Sequence, residues 1–82
     1  MTESKFEVHF YQHHWGYMEE KDSWSQAVKF VNYLDTYGGY ADQIIVDGIL
    51  KFKRHLDEED GSDYWTDSRG QVVDLEQVEY RG

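Results

Sequence analysis

The dipeptide Asp47-Gly48 lies between two short apolar runs, residues 43–46 and 49–54. An Asp-Gly pair in this position favours a type I′ turn, because the twist of that turn matches the twist of the flanking strands. The sequence therefore predicts an antiparallel hairpin in which Val46 pairs with Ile49, and Ile45 with Leu50. Two strands alone are marginal in water, so the hairpin needs further elements to cover it.

Alternation along the two strands divides the hairpin side chains between two faces. It places Ile45, Leu50 and Phe52 on the face that we assign to a helix. It places six further side chains on the opposite face, namely Ile44, Val46, Ile49, Lys51, Lys53 and His55. This second face is also apolar near the turn and needs a cover of its own. Either the C-terminal segment or a second protomer would supply it, so a homodimer is one expectation.

The segment after Asp22 has the features of a helix start. Ser23 and Gln26 form a capping box, in which Ser23 accepts a backbone N–H and Gln26 reaches back. Apolar residues then recur at helical spacing, at Trp24, Ala27, Val28, Val31 and Leu34. Because Gly38-Gly39 supplies a left-handed residue that ends a helix, the sequence predicts a helix over residues 24–37.

Residues 5–12 alternate, with Phe6, Val8 and Phe10 on one face, and this predicts a half-buried strand. Residues 13–18 either extend that strand or turn back as a second one. Residues 64–74 predict a short hairpin, and residues 75–82 are compatible with a strand or a helical turn. The sequence thus predicts one α+β domain over residues 1–82 in the order β-α-β-β. One helix packs on a small antiparallel sheet, followed by a short acidic hairpin or strand.

The composition excludes several classes of function. The chain has no Cys, which excludes a disulfide framework and a Cys-ligated zinc site. No Ser lies in a Gly-x-Ser-x-Gly motif and no Gly-rich loop precedes a helix, so we expect neither an enzyme nor a cofactor. The longest apolar run, residues 44–46, is too short to span a bilayer, and residues 1–5 lack the apolar segment of a signal peptide. The expectation is a soluble cytoplasmic protein.

Two patterns resemble metal sites and fail in detail. Adjacent His13 and His14 would point to opposite faces of a strand, so both could not ligate one ion. Residues 56–67 resemble a calcium loop, but its first ligand position is Leu56 and its last is Asp67 in place of Glu. We therefore expect no metal site.

The charge of the chain is concentrated at one end. Residues 1–56 hold 8 acids and 6 bases, whereas residues 57–82 hold 9 acids and 2 bases, in a chain of net charge −9. A near-neutral body therefore carries an acidic C-terminal third, which disfavours direct binding to nucleic acid or to an anionic membrane. A single-sign field of this size suggests a basic partner. The simpler alternative is a solvated face that keeps a small domain soluble.

If the acids bind a basic protein, each carboxylate would pair with a Lys or Arg that normally meets a phosphate. Three further acids before the helix would extend this surface if the fold brings them alongside. The expected partner-binding residues are Asp57, Glu58, Glu59, Asp60, Asp63, Asp67, Asp74, Glu76 and Glu79, extended by Glu19, Glu20 and Asp22.

The acidic runs at residues 57–63 and 74–79, in a small chain without Cys, resemble host-takeover proteins of lytic phages. Some of those proteins are DNA mimics that block a nucleoid protein of the HU type, or RNA polymerase. The resemblance implies a non-enzymatic inhibitor in the host cytoplasm that occupies the DNA-binding surface of a basic host protein. It rests on composition and size and transfers no site residues.

A second function class follows from the aromatic residues, which make up 17% of the chain. Tyr and Trp are enriched at protein interfaces. Trp15 and Trp65 lie beside polar residues and outside the most regular elements, so they are the expected anchors. In this alternative the chain is an adaptor that binds through an aromatic patch, and its acids serve solubility.

Overall fold

A computed structural model describes residues 5–78 of the chain. Six strands form one sheet in the order β2-β1-β3-β4-β5-β6, and every neighbouring pair is antiparallel. One helix and this sheet make an α+β fold, as the sequence predicts. The elements are β1 (Phe6–Gln12), β2 (Trp15–Lys21), α1 (Trp24–Thr36), β3 (Tyr40–Val46), β4 (Ile49–Leu56), β5 (Asp63–Thr66), β6 (Val72–Val73) and a 3₁₀ helix (Leu75–Gln77).

The expected order β-α-β-β is incomplete, because β2 intervenes between the first strand and the helix. The chain turns back at His13 and His14, whose φ angles are 53° and 68°. Positive φ at both residues of a two-residue turn matches type I′ geometry, which favours Asn and Gly rather than His. The chain therefore makes a hairpin at a site without the usual turn residues. His13 and His14 were expected on a strand, and both lie in the turn instead.

Helix α1 connects β2 to β3, two strands that both pair with β1 and so run parallel to each other. The helix packs across the face of β1 and β3. Its predicted N-cap is confirmed: the Ser23 hydroxyl accepts the Gln26 N–H at 3.2 Å. The reciprocal bond reaches one residue further back, because Gln26 Oε1 accepts the N–H of Asp22 at 3.3 Å. The helix ends at Thr36, one residue earlier than predicted.

The core lies between α1 and one face of the sheet. The predicted stripe on α1 is confirmed, with Trp24, Ala27, Val31 and Leu34 buried and Val28 partly buried. On the sheet, the buried side chains of β1 are Phe6, Val8 and Phe10, as the alternation predicts. The other strands contribute Ala41, Ile44, Val46, Phe52 and Trp65.

The turn at Asp47-Gly48 has φ angles of 52° and 82°, and the predicted pairs of Val46 with Ile49 and Ile45 with Leu50 form. The predicted division of side chains between the two faces is right for Phe52, Lys53 and His55 and wrong for the side chains before the bulge, which include Ile44, Ile45, Val46, Ile49 and Leu50. A bulge at Lys51 shifts the register, so that Ile44 pairs with Phe52. One extra residue reverses the alternation beyond it. Phe52 therefore joins Ile44 and Val46 beneath the helix, while Ile45 and Leu50 lie on the opposite face.

This correction removes the reason for expecting a dimer through the hairpin. Ile44 and Val46 are buried by α1 within one chain, and of the three residues only Ile49 is exposed. The C-terminal segment packs beside α1 on the same face, where Leu75 is buried. The predicted hairpin near the C-terminus is confirmed as β5 and β6. The other face of the sheet carries exposed apolar and aromatic side chains, among them Tyr11, Met18, Leu50 and Tyr64.

Replacing His13-His14 with Asn-Gly should raise the free energy of unfolding by about 1 kcal/mol, because left-handed backbone strains a residue with a Cβ. For a domain of this size, that gain corresponds to a rise in Tm of about 4–8 °C, measurable by circular dichroism. Gly48→Ala is the matched control, since Gly48 has φ 82° at the same position of the other turn. It should lower the Tm, and a Tm unmoved by both changes would contradict the strain argument.

Candidate partner-binding surface

Eight of the expected acids lie along β5, β6 and the segments connected to them, at one side of the sheet. We call this surface the acidic flank. Four chain segments supply its carboxylates: the β4–β5 loop, the start of β5, the turn between β5 and β6, and the 3₁₀ helix with its N-cap. Its members are Asp57, Glu58, Glu59, Asp60, Asp63, Asp67, Asp74 and Glu76.

The β4–β5 loop, residues 57–62, is closed by its own hydrogen bonds. The N–H of Asp57 donates to the carbonyl of Ser62, and the N–H of Gly61 donates to the carbonyl of Asp57, each at 2.8 Å. The Asp60 carboxylate accepts both the hydroxyl of Ser62 at 2.6 Å and its N–H at 2.9 Å. These bonds, the hydroxyl first, lower the pKa of the Asp60 carboxyl. A short side chain bonded to its own loop keeps its charge at a defined position.

Asp67 and Asp74 are held in the same manner at two further turns. Asp67 Oδ1 accepts the N–H groups of Arg69 and Gln71 at 2.9 and 3.0 Å. Asp74 caps the 3₁₀ helix by accepting the N–H of Glu76 at 3.0 Å. Four aspartates of the acidic flank, including Asp57 and Asp60, therefore accept backbone N–H groups at turns.

A groove of about 300 Å³ separates α1 from the C-terminal segment. Three members of the acidic flank line it, Asp63, Asp74 and Glu76. Asp35 of α1 lines the same groove and was not among the expected residues. Glu76 also accepts a hydrogen bond from the Asn32 side chain at 3.1 Å, which connects the 3₁₀ helix to α1.

Arg54 stands between the helix and the acidic flank. Its guanidinium donates to Asp35 at 2.9 Å and to Asp63 at 2.7 Å, and it lies over the Tyr40 ring at 4.6 Å. Its side chain is only 9% exposed. Burial acts to lower the pKa of Arg54, but the hydrogen bond to Asp35 and the charges of Asp35 and Asp63 outweigh it and raise that pKa. Arg54 therefore offsets one of the two carboxylate charges that it binds.

Neither Arg54 nor Asp35 was predicted to belong to this surface. The sequence did not indicate that Asp35 of α1 and Asp63 of β5 would lie beside the Arg54 guanidinium. In the observed register Arg54 pairs with Trp65. Both then lie on the helix side, where a basic side chain needs the acidic partner that α1 supplies.

The three acids before the helix lie at the opposite edge of the sheet. Glu19 and Glu20 belong to β2, and four strands separate β2 from β6. Lys21 binds Glu19 at 2.8 Å, and Lys5 binds Glu20 and Asp22 at 3.5 and 3.6 Å. The fold does not bring these acids alongside the acidic flank. Glu79 lies outside the described residues.

The two expected aromatic anchors differ in exposure. Trp65 is buried under the C-terminal segment, so its prediction as an anchor is wrong, whereas Trp15 is 69% exposed. A row of ring contacts runs from β2 over α1, in which Tyr17 stacks on Phe10, Phe10 meets Phe30, and Phe30 leads to Tyr33 and Tyr37. This aromatic strip is far from the acidic flank, on the side of β2.

The open face of the sheet carries basic side chains in its centre. Lys53 and His55 point to this face from β4, opposite Thr66 and Tyr64 of β5. His55 stacks on Tyr64 at 5.1 Å, and its Nε2 lies 2.8 Å from the Thr66 hydroxyl. Of the β4 bases, Arg54 binds Asp63 of the flank on the helix side, whereas Lys53 points to the open face, where His55 lines a groove together with Asp57.

No protein-family model, curated protein or solved structure matches the chain. Among residues 5–78, no three His, Asp or Glu side chains are grouped so as to hold a metal ion. No helix in that part of the chain is long and apolar enough to cross a membrane.

Arg54→Met should lower the free energy of unfolding by about 2 kcal/mol, because it leaves Asp35 and Asp63 without their shared cation. Urea unfolding followed by Trp fluorescence measures the change. Arg69→Met is the control, since Arg69 lies in an exposed turn and its loss should change stability by less than about 0.5 kcal/mol. Equal losses in the two variants would show that the ion pairs of Arg54 do not stabilise this side of the fold.

Proposed function

We propose that this chain is a non-enzymatic inhibitor that binds the DNA-binding surface of a basic protein through the acidic flank. The observation that carries the proposal is the fixed position of its carboxylates. Asp57, Asp60, Asp67 and Asp74 are each hydrogen-bonded to backbone N–H groups, so they lose little freedom when a partner binds. The phosphates of a DNA duplex likewise have fixed positions, because they are part of its backbone.

The spacing of the flank supports mimicry better than a single strand would. A duplex shows one phosphate per ~3.4 Å of axis on each strand, whereas carboxylates on one face of a β-strand stand ~6.6 Å apart. Neighbouring segments of a sheet are only about 4.8 Å apart. Leu56 pairs with Asp63 and Trp65 with Val73, so the β4–β5 loop and Asp74 lie near the first residues of β5, while Asp67 follows its last residue. The acids near the start of β5 come from neighbouring segments and can therefore stand closer together than acids along one strand.

The balance of charge supports the same function. Arg54 is occupied by Asp35 and Asp63, and Arg69 is the one Lys or Arg within residues 57–78. A surface built only for solubility would intersperse both signs. The partner that fits this field is a host DNA-binding protein, such as a nucleoid protein of the HU type or RNA polymerase. The source that we propose is a lytic phage, whose product would act in the host cytoplasm.

The immobilised protein should retain a basic DNA-binding protein from a bacterial lysate at low salt and release it as salt rises. Close charge pairs at the rim of an interface are screened by salt, so affinity should fall steeply. Added duplex DNA should displace the same protein, because both ligands use one surface. The mimicry would be refuted if the retained protein were released neither by salt nor by duplex DNA. It would also be refuted if no basic protein were retained from the lysate.

Two variants with equal changes of charge identify the binding surface. Glu58→Gln/Glu59→Gln/Asp60→Asn removes three charges from the acidic flank, and Asn at 60 still accepts the Ser62 bonds. Glu19→Gln/Glu20→Gln/Asp22→Asn removes three charges at the opposite edge. The first should weaken binding about tenfold or more, at roughly 0.5 kcal/mol per exposed pair, and the second should have little effect. Equal losses would mean that only net charge matters.

A second candidate function, an adaptor, is favoured by the aromatic strip along β2 and α1. Tyr17, Tyr33 and Tyr37 are each about half exposed or more, at 49%, 54% and 64%. Rings of this kind anchor interfaces through desolvation rather than charge. Retention of a partner by the acidic-flank variant, at unchanged affinity, would support the adaptor in place of the mimic.

A further inference from the structure

The two edge strands of the sheet differ in length and regularity. At one edge, β6 has two residues and is followed directly by the 3₁₀ helix. At the other edge, β2 pairs with β1 through seven consecutive residues without a bulge. Among residues 5–78, no strand pairs with the outer side of β2. Proteins usually protect a long edge with Pro, bulges, very short strands or charged side chains. Of these, β2 has only the charges of its second half, at Glu19, Glu20 and Lys21.

Every second residue of an edge strand directs its N–H and C=O away from the sheet. In a two-residue hairpin turn the flanking residues, here Gln12 and Trp15, are hydrogen-bonded to each other. Counting from Trp15, the residues that point outward are Gly16, Met18 and Glu20. Their backbone groups form a row along the edge that a further strand could pair with.

We propose that β2 pairs with β2 of a second copy of this chain, antiparallel, about a two-fold axis at Met18. Met18 then faces Met18 of the second copy, and Gly16 faces its Glu20. The three outward residues of each strand supply roughly six hydrogen bonds between the chains. The result is one continuous sheet of twelve strands, with both α1 helices on the same side.

The sequence of β2 is self-complementary in this register. Its first half is aromatic or small and its second half is charged, so antiparallel pairing places Tyr17 against Glu19 of the second copy. Trp15, 69% exposed, stands opposite Lys21 of the second copy, whose ammonium group binds Glu19 at 2.8 Å and lies 4.5 Å from the centre of the Phe30 ring within its own chain. No like charges stand directly opposite each other. Pairing would cover part of the exposed side chains of Trp15 and Tyr17 on the helix side and of Met18 on the open face.

Neighbouring registers are worse for identifiable reasons. An axis at Glu19 would place the two Glu19 carboxylates directly opposite each other, which destabilises a strand pair. An axis at Tyr17 would pair only Gly16 with Met18 within the strands and lose about two of the hydrogen bonds. The axis at Met18 keeps all three outward pairs and separates the acids.

Charge also favours a second copy at this edge over any other edge. Each chain carries a net charge of −9, so two copies repel unless their acids are far apart. The acidic flank and β2 lie at opposite edges of the sheet, about five strand spacings or ~24 Å apart. Pairing through β2 therefore holds the two acidic flanks at the far ends, well beyond the ~10 Å screening length at 0.1 M salt.

Residue 18 provides a direct test, because in the proposed register it faces itself. Light scattering after gel filtration, over a wide concentration series, should give a dimer for the unchanged protein. Met18→Lys alone and Met18→Glu alone should each give a monomer, since like charges then stand opposite each other. An equal mixture of the two variants should again give a dimer. Met18 is 51% exposed, so neither change should prevent folding, and circular dichroism verifies this.

Val72→Lys is the matched control, because Val72 is 70% exposed on the opposite edge strand, β6. It should leave the dimer intact. Amide exchange in the unchanged protein gives a readout without variants: Gly16, Met18 and Glu20 should exchange more slowly as concentration rises. A monomer at every concentration would overturn the proposal, as would dimers in both charge variants. These measurements need no partner protein, so their outcome is independent of the proposed DNA mimicry.

Discussion

The indole of Trp24 holds the acidic third of the chain against the rest of the molecule. Its ring lies between Phe6 and Phe52, at centroid distances of 5.9 and 5.0 Å, and its Nε1 donates to the carbonyl of Leu75 at 3.3 Å. One side chain thus joins the first strand, the central hairpin and the C-terminal segment. Segments of like charge repel one another, so this apolar attachment is what allows them to lie together.

Arg54 attaches the C-terminal part of the chain to α1 a second time, through ion pairs rather than apolar packing. It spans α1 and β5 through two carboxylates and stacks on Tyr40, so it positions Asp63 at the groove while cancelling part of the local charge. The remaining acids are positioned by their own turns rather than by cations. Apolar and ionic contacts therefore attach the C-terminal segment to the rest of the fold, whereas hydrogen bonds to backbone N–H groups orient its carboxylates. This division leaves the carboxylates of the turns exposed on the outside of the fold.

The elements governed by local physics could be predicted from the sequence. The capping box at Ser23 and the turn at Asp47-Gly48 depend on residues a few positions apart, and both formed as expected. The bulge at Lys51 and the turn at His13-His14 could not be predicted, because tertiary packing imposes them against local preference. For the surface, the acidic loop and turns were foreseeable. Asp35 and Arg54 required the observed register, and the separation of β2 from β6 required the strand order.

The shortness of β6 has a consequence for how the sheet can grow. A strand of two residues followed at once by a 3₁₀ helix offers too little backbone to template another strand. A sheet with one usable edge can join another only once, so its growth is self-limiting and cannot continue into a fibre. Aggregation through the acidic side is thereby blocked by geometry as well as by charge. Mutations that lengthen β6, rather than those that alter β2, are the ones that would convert this fold into an open-ended polymer.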